Sequence, residues 1–513
     1  MNAIFILYAG DISEEAFHPL INGENSVSLA ALKTRAFPGV KKTVLLAGGE
    51  DFSFLSGVEI ERKEKWTKRV LLEEIARLAM DFDLAYFAFA DCPFLDLSLA
   101  EAMAERHTHY AAEYSYADGW PYGLAAEILS RGTPAILAKI IENDEAEPVD
   151  RQTLFSVIQK DINAFDIEAE ISPVDLRCHR ISFCADSRRN LQILKNFIAK
   201  ANGEIPSAPL IGSIIAEYPE ILRTLPSFYP IQVSGGCPQK CAICPYPSMT
   251  DVMGRGDFLS VKEFDSLLDK IVAFSKDAVI DLSLWGELSL HPEKLKLIEL
   301  VLSRPELSLV IETSGVGWKD DELKECAKLR DSARERKNPV PSLSWIVSLD
   351  TADAARYAQS RGGGFAEAAR TAKTLFSLFP KDCYAQAVRI AGFEDDTEKF
   401  YRYWKEAAPF GDRNIIIQKY NDFGGFLEKK QASDISPVIR QSCWHIMRDM
   451  PVLIDGTVPL CRDDVKSGRI LGNAFSEPLE SVWLRGERHY LEHCKKNYEG
   501  LCADCDEYYT YNF

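Results

Sequence analysis

The sequence has no run of about 18 apolar residues, so no segment of it can cross a membrane as a helix. The first residues, Met1-Asn-Ala-Ile-Phe-Ile-Leu-Tyr8, carry no basic cluster ahead of an apolar stretch. No signal peptide is read there, and a cytoplasmic protein that starts on a β-strand is expected. Internal repeats and low-complexity tracts are also missing, which excludes a solenoid or a disordered chain. Positive charge is scarce: 59 Lys and Arg stand against 77 Asp and Glu, a net charge of −18. Such a surface repels a phosphate backbone, so nucleic acid is not expected as a partner, and neither is a membrane. What is present is an ordinary globular balance, 46% hydrophobic and 27% charged over 513 residues. That length suits about three domains. Thirteen Cys in a large chain without an export signal point to thiolate chemistry rather than a disulfide framework.

Residues 1–205 alternate apolar strands, expected over 3–9, 42–47, 84–90 and 180–184, with amphipathic helices over 71–80, 98–106 and 188–201. Alternation of this kind predicts an α/β layered domain. Pro206, Pro209, Pro219 and Pro226 mark 206–228 as a linker with a short helix near 211–217. Residues 229–421 form a second β/α series. Its six strands are expected over 230–234, 279–285, 308–313, 344–349, 384–390 and 414–418, with helices over 261–274, 293–302, 320–329, 352–378 and 397–407. The pattern fits a partial (β/α)6 barrel, whose site lies at the C-terminal ends of its strands. Residues 422–513 lose helical periodicity and gain Cys443, Cys461, Cys494, Cys502 and Cys505. A loop-rich segment with little apolar mass can draw folding energy from metal–thiolate bonds.

Immediately after the first strand of the second series stands Ser234-Gly-Gly-Cys237-Pro-Gln-Lys-Cys241-Ala-Ile-Cys244. Three thiolates spaced Cys-x3-Cys-x2-Cys on one loop can hold three irons of a 4Fe–4S cube and leave the fourth open to a chelating ligand. The competing readings are a structural zinc site missing its fourth ligand, or buried thiols. The triad is the signature of the radical SAM superfamily, which the chain resembles across residues 229–421. Ile243 stands where that family usually has an aromatic residue. Further segments resemble the family in order. Leu284-Trp-Gly-Glu287-Leu288 is similar to its Gly-Gly-Glu-Pro segment, with Trp285 for the first Gly and Leu288 for the Pro. Glu312-Thr-Ser-Gly315 resembles its next turn, and Val347-Ser348-Leu-Asp350 its Ser-x-Asp element. The resemblance implies that Glu287 accepts the ammonium of S-adenosylmethionine, Ser348 binds the same cofactor and Arg361 meets its carboxylate. It implies reductive cleavage of S-adenosylmethionine at the cluster on Cys237, Cys241 and Cys244, and hydrogen abstraction by the resulting 5′-deoxyadenosyl radical.

In the tail, Cys443 is followed by Gly456-x4-Cys461 and later by Cys502-x2-Cys505, two pairs that make a closed four-thiolate site. On ligand count alone, zinc and 4Fe–4S are equally allowed. The pattern, with Gly472-Asn473 and Trp483, resembles the SPASM extension of radical SAM enzymes. It implies an auxiliary 4Fe–4S cluster on Cys443, Cys461, Cys502 and Cys505. A full SPASM has more Cys beyond this point, so one auxiliary cluster is expected, with Cys494 as a spare thiol on a helix over 487–496. Cys92, Cys178, Cys184, Cys326 and Cys383 read as ordinary core thiols.

The first domain resembles the GT-A-like nucleotidyltransferases in four pieces. These are Leu7-Tyr-Ala-Gly10, Asp91-Cys-Pro-Phe-Leu-Asp96, Trp120-Pro-Tyr-Gly123 and Ser182-Phe-Cys-Ala-Asp186. The resemblance implies that Asp91 binds a nucleotide phosphate and Mg2+. The loop that bears cations in that family carries Asp11, Glu14 and Glu15 here, with His18 where a Lys is expected. Acids at that place repel a triphosphate, so a binding scaffold is expected in preference to a transferase. The whole layout resembles the spiro-SPASM proteins. The expected function is a radical SAM enzyme acting on a peptide, protein or sugar-derived small molecule, with flavodoxin or ferredoxin as electron donor. Two alternatives remain open: a bifunctional sugar nucleotidyltransferase with a radical step, and a non-catalytic iron–sulfur protein.

Overall fold

The computed structural model describes residues 2–141, 147–249, 256–334, 340–433 and 436–509. They form two compact units, Met1–Thr224 and Leu225–Phe513. No helix among the described residues is long and apolar enough to cross a membrane.

The first unit is built on a seven-stranded mixed sheet. Its strand order is Glu59–Arg62, Val40–Ala47, Ala3–Ala9, Leu84–Phe89, Glu127–Ser130, Tyr114–Asp118 and Ile167–Ile171. The first four run parallel, while Glu127–Ser130 is antiparallel to both its neighbours. Ala3–Ala9 is buried along its whole length, as a central parallel strand covered on both faces must be. Helices Lys68–Ala79, Leu97–His109 and Arg188–Lys200 start on Thr67, Asp96 and Ser187, whose side-chain oxygens accept backbone N–H groups of the first turn. The expected strand over 180–184 does not form. Ser182 makes an isolated bridge to Tyr122, and Phe183 stacks on Phe94 with ring centroids 4.9 Å apart. That apolar run serves the core as a loop.

The second unit carries six parallel strands in sequential order. They are β1 (Phe228–Pro230), β2 (Ala278–Asp281), β3 (Leu307–Thr313), β4 (Leu343–Ser348), β5 (Cys383–Arg389) and β6 (Ile415–Lys419). Helices Val261–Ser275, Lys294–Leu302, Asp320–Asp331, Phe365–Leu378 and Glu394–Ala407 connect them, which makes a partial (β/α)6 barrel. β1 ends at Pro230, earlier than expected, because Ile231 bridges Val452 and Ser234 bridges Phe258. The single helix expected over 352–378 is broken. Gly362, Gly363 and Gly364 take φ of +88°, +115° and +91°, conformations open to glycine, and separate Ala354–Arg361 from Phe365–Leu378. The break leaves Arg361 at a helix end.

Among the described residues, those of the C-terminal segment join the barrel core. One buried cluster runs from Tyr229 on β1 to Tyr508 and includes Cys443 and Cys502. A short antiparallel pair, Thr457–Pro459 with Ile470–Asn473, follows the turn at Gly456. Gly456 has φ +84°, and a Cβ there would lie 2.6 Å from the Phe475 ring.

Candidate active site

The chain leaves β1 and wraps into the loop that carries the three Cys. Its backbone is tied just ahead of Cys237: Gly235 N–H donates to Asp257 O at 2.9 Å, and Glu287 N–H donates to Gly236 O at 2.8 Å. A Cβ on Gly286 would collide with the Ser234 carbonyl oxygen, so the loop after β2 can lie against the Cys loop only with glycine there. From the far side, Lys240 N–H donates to Arg361 O and Ala242 N–H to Ser360 O, at 3.1 and 2.8 Å. The Gln239 amide donates to the Tyr357 hydroxyl at 2.7 Å and the Gly363 carbonyl at 3.1 Å.

Cys237, Cys241, Cys244, Glu287, Ser348 and Arg361 all line one cavity of about 870 Å³ at the C-terminal ends of the strands. Burial pushes the Cys237 and Cys244 thiols up to about 12 and raises Cys241 as well. Three thiols from one loop facing one cavity make a donor set that suits three irons of a 4Fe–4S cube. Arg361 stands beside them, its Nη1 3.9 Å from Cys241 Sγ. Asp350 holds Arg361 through an Nε to Oδ2 bond of 2.7 Å and also accepts Val388 N–H at 3.0 Å. Asp350 takes φ +60° to do so, a conformation costly for a residue with a Cβ.

Glu287 is buried and held on three sides. Thr313 Oγ1 donates to Oε1 at 2.6 Å, Ser314 N–H to Oε2 at 2.8 Å and Ser289 N–H to Oε1 at 3.4 Å. Burial still raises its pKa, the hydrogen bonds only partly opposing this. A cationic group at that oxygen pair is what the site favours. Trp285, where the resembling segment has a Gly, keeps a left-handed backbone at φ +51° and packs its ring 6.0 Å from Phe423.

Five polar residues of the cavity were given no role from the sequence: Asp281, Gln386, Lys419, Arg462 and Glu507. Gln386 on β5 donates to Glu312 Oε1 at 2.6 Å and to Ser348 Oγ at 3.1 Å, while Ser348 donates to the same Glu312 oxygen at 2.9 Å. The signal was a lone amide in the apolar strand Cys383–Arg389. Asp281 ends β2, and burial lifts it to about 6, with Glu312 adding to the effect and Arg462 opposing it. Arg462, next to Cys461, reaches the same cavity, as do Lys419 and Glu507.

In the tail, burial comes first among the causes that raise all four thiols, and Cys443 is pushed to about 12. Proximity adds to it: Cys443 feels Cys502, and Cys461 feels Cys443 and Cys505. Asp463 N–H donates to Cys461 Sγ and Glu507 N–H to Cys505 Sγ, each at 3.4 Å, and Arg469 Nη1 donates to Cys502 Sγ at 3.6 Å. Donors aimed at sulfur suit a cluster with charged thiolates. Cys494 ends the helix Glu487–Cys494, where Ser442 Oγ donates to its sulfur at 3.2 Å.

Residues 231–403 match the radical SAM superfamily, and residues 443–506 match the SPASM iron–sulfur cluster-binding domain. The chain belongs to the radical SAM superfamily. It is a radical SAM enzyme with a SPASM domain, and iron–sulfur clusters and S-adenosylmethionine are the cofactors that membership implies. An uncharacterized protein of Treponema pallidum (strain Nichols) is 35% identical over 370 residues, which span 70% of this chain and 98% of that protein. Among solved structures, Streptococcus suis SuiB bound to precursor peptide SuiA is similar at 14% identity and a TM-score of 0.41, over 68% of this chain and 78% of that one. A cytidylyltransferase from Leptospira borgpetersenii serovar Hardjo-bovis is similar at 14% identity and a TM-score of 0.37, over 43% of this chain and 97% of that one.

In the first unit of this radical SAM enzyme, Asp91 follows the strand Leu84–Phe89 and is buried. Both its carboxylate oxygens accept from Arg151, at 2.8 and 2.5 Å, and Arg151 also reaches Asp186 at 3.4 Å. Glu15 is buried too, 3.6 Å from His18. Of the five Cys read as core thiols, Cys92, Cys184, Cys326 and Cys383 are buried, whereas Cys178 is exposed.

Proposed function

We propose that Cys237, Cys241 and Cys244 hold the 4Fe–4S cluster that cleaves S-adenosylmethionine, and that the enzyme abstracts a hydrogen atom from a peptide, protein or sugar-derived substrate. The observation that carries this reading is the convergence of three thiols with Glu287, Ser348 and Arg361 in one cavity. When bound, the reduced cluster and S-adenosylmethionine supply a 5′-deoxyadenosyl radical. The chain's residues bind and orient. Glu287 accepts ammonium hydrogens, Arg361 pairs with a carboxylate, and Ser348 presents a hydroxyl steadied by Glu312 and Gln386. Asp281, Lys419, Arg462 and Glu507 give the rest of the cavity a polar wall suited to a substrate rich in hydrogen-bonding groups. The SPASM match favours a polypeptide. Cys443, Cys461, Cys502 and Cys505 hold one auxiliary 4Fe–4S cluster, and a flavodoxin or ferredoxin in the cytoplasm supplies electrons. Release of 5′-deoxyadenosine from anaerobic protein given dithionite and S-adenosylmethionine tests the reading.

Glu287→Gln is expected to weaken S-adenosylmethionine binding by about 10- to 150-fold. A hydrogen bond to a charged group contributes about 1.5–3 kcal/mol. Equilibrium dialysis on cluster-loaded protein measures this, with iron content as the control that should not move. An unchanged Kd rejects the ammonium role.

The first unit acts on this reading as a binding scaffold without nucleotidyl transfer. Arg151, the cation beside Asp91, is already engaged by that carboxylate, and Asp11, Glu14 and Glu15 repel a triphosphate. No pyrophosphate is expected from any common nucleoside triphosphate with magnesium and sugar phosphates. Turnover that disappears in Asp91→Ala would restore the bifunctional reading.

A further inference from the structure

The first unit holds a further set of metal-ligating side chains that the radical SAM reading does not use. Asp91, Cys92 and Cys184 each place a ligand atom within 4.8 Å of the other two. All three are buried, at 4%, 1% and 0% exposure. Cys92 Sγ lies 3.5 Å from Cys184 Sγ and 3.7 Å from Asp91 Oδ1. We propose that Asp91, Cys92 and Cys184 bind a zinc-class divalent ion.

The distances carry the choice of ligand. Tetrahedral zinc with bonds of about 2.3 Å to sulfur and about 2.0 Å to oxygen sets two sulfurs about 3.8 Å apart, and a sulfur and an oxygen about 3.5 Å apart. The side chains already stand within a few tenths of an ångström of both. A disulfide needs sulfurs at about 2.05 Å, much closer than the 3.5 Å between these two.

Charge points the same way. The surroundings hold Asp91, Asp186 and the Arg151 guanidinium, which lies 4.3 Å from the Phe89 ring centroid. When two thiols release their protons and one divalent ion enters, the net charge of this buried group does not change. Magnesium would prefer oxygen and water to thiols and would add two uncompensated charges beside Arg151. Arg151 can stay in place, because each carboxylate oxygen has two lone pairs and the guanidinium then orients Asp91 from behind. Ala185 N–H already donates to Asp91 O at 2.8 Å, so the ion would add a second tie between the loop after Leu84–Phe89 and the 182–186 segment.

The test uses the full-length protein, purified anaerobically and dialysed against micromolar zinc chloride. Metal analysis counts zinc and iron. Zinc-edge X-ray absorption counts sulfur neighbours without interference from iron. About one zinc per chain is expected, with two sulfurs at about 2.3 Å and the remaining ligands oxygen. Cys92→Ser combined with Cys184→Ser should lose that zinc and keep its iron. The sulfur count on wild type decides the matter even where the variant fails to fold. Zinc absent from wild type, zinc with four sulfurs, zinc retained in the double variant, or a Cys92–Cys184 disulfide in the peptide map of anaerobic protein would each overturn the proposal.

Discussion

A chain with Cys237, Cys241 and Cys244 all changed to Ala is expected to release no 5′-deoxyadenosine above a protein-free mixture, while keeping about four irons and four sulfides. Wild type should hold about eight of each. The loss is total because no other residue of the cavity offers iron a thiolate: its remaining donors are oxygens and nitrogens. The retained half follows from the tail. Cys443, Cys461, Cys502 and Cys505 lie on other segments, and Cys461, Cys502 and Cys505 have their own N–H or guanidinium donors. Cys494→Ser should leave the iron count unchanged, since the Cys494 sulfur already accepts from Ser442. Iron and sulfide analysis, with chromatography of the nucleoside products, measures all three chains. Wild type with filled clusters and no cleavage product would sink the proposed role of the triad. Loss of all iron in the triple variant would sink the independent auxiliary site.

The sequence made legible the Cys, Glu and Ser that line one cavity and left most of their partners hidden. Cys237, Cys241 and Cys244 could be read because a cluster needs its donors close together on one loop, and spacing records that directly. Glu287, after β2, and Ser348, at the end of β4, could be read because their segments resemble the family's in order along the chain. The Glu312–Ser348–Gln386 network could not, since it depends on sheet register: Ser348 pairs with Gln386 across β4 and β5, and no local pattern encodes that. Arg151 was invisible because it reaches Asp91 from a turn 60 residues away in the chain. The edge strands Glu59–Arg62 and Ile167–Ile171 are only partly buried and carry acids, so hydrophobic alternation does not mark them. The Gly362–Gly364 break was different. Three consecutive glycines are a plain stop signal for a helix, and a continuous apolar period ran over it.

Asp449→Asn is expected to lower the apparent melting temperature of the barrel unit by about 10 °C, from a loss of about 3–5 kcal/mol. Asp449 is 4% exposed and accepts from His445 Nδ1 and Arg448 Nε, both at 2.6 Å. Burial pushes its pKa up, but Arg448 and His445 outweigh burial and hold it at about 2. A carboxyl depressed in this way contributes stability that is complete above its unfolded value of about 3.9 and disappears as pH falls through about 2. At neutral pH the whole contribution is present, so the substitution removes all of it. The position makes the effect large. Ser227 N–H donates to Arg448 O at 3.0 Å, Met450 N–H donates to Phe228 O at 2.9 Å, and the Arg448 guanidinium lies 4.7 Å from the Phe228 ring centroid. The network therefore fastens the segment after Cys443 to β1, the strand that leads into the Cys237 loop. Thermal melts of anaerobic protein, followed by circular dichroism and by cluster absorbance, should shift together for this reason. Arg448→Met should also destabilise, and the double variant should lose less than the sum, because the two side chains act as one buried pair. Additive losses would mean that the pair is not coupled. Cluster absorbance that melts at the wild-type temperature would mean that Asp449 does not fasten the tail to the barrel.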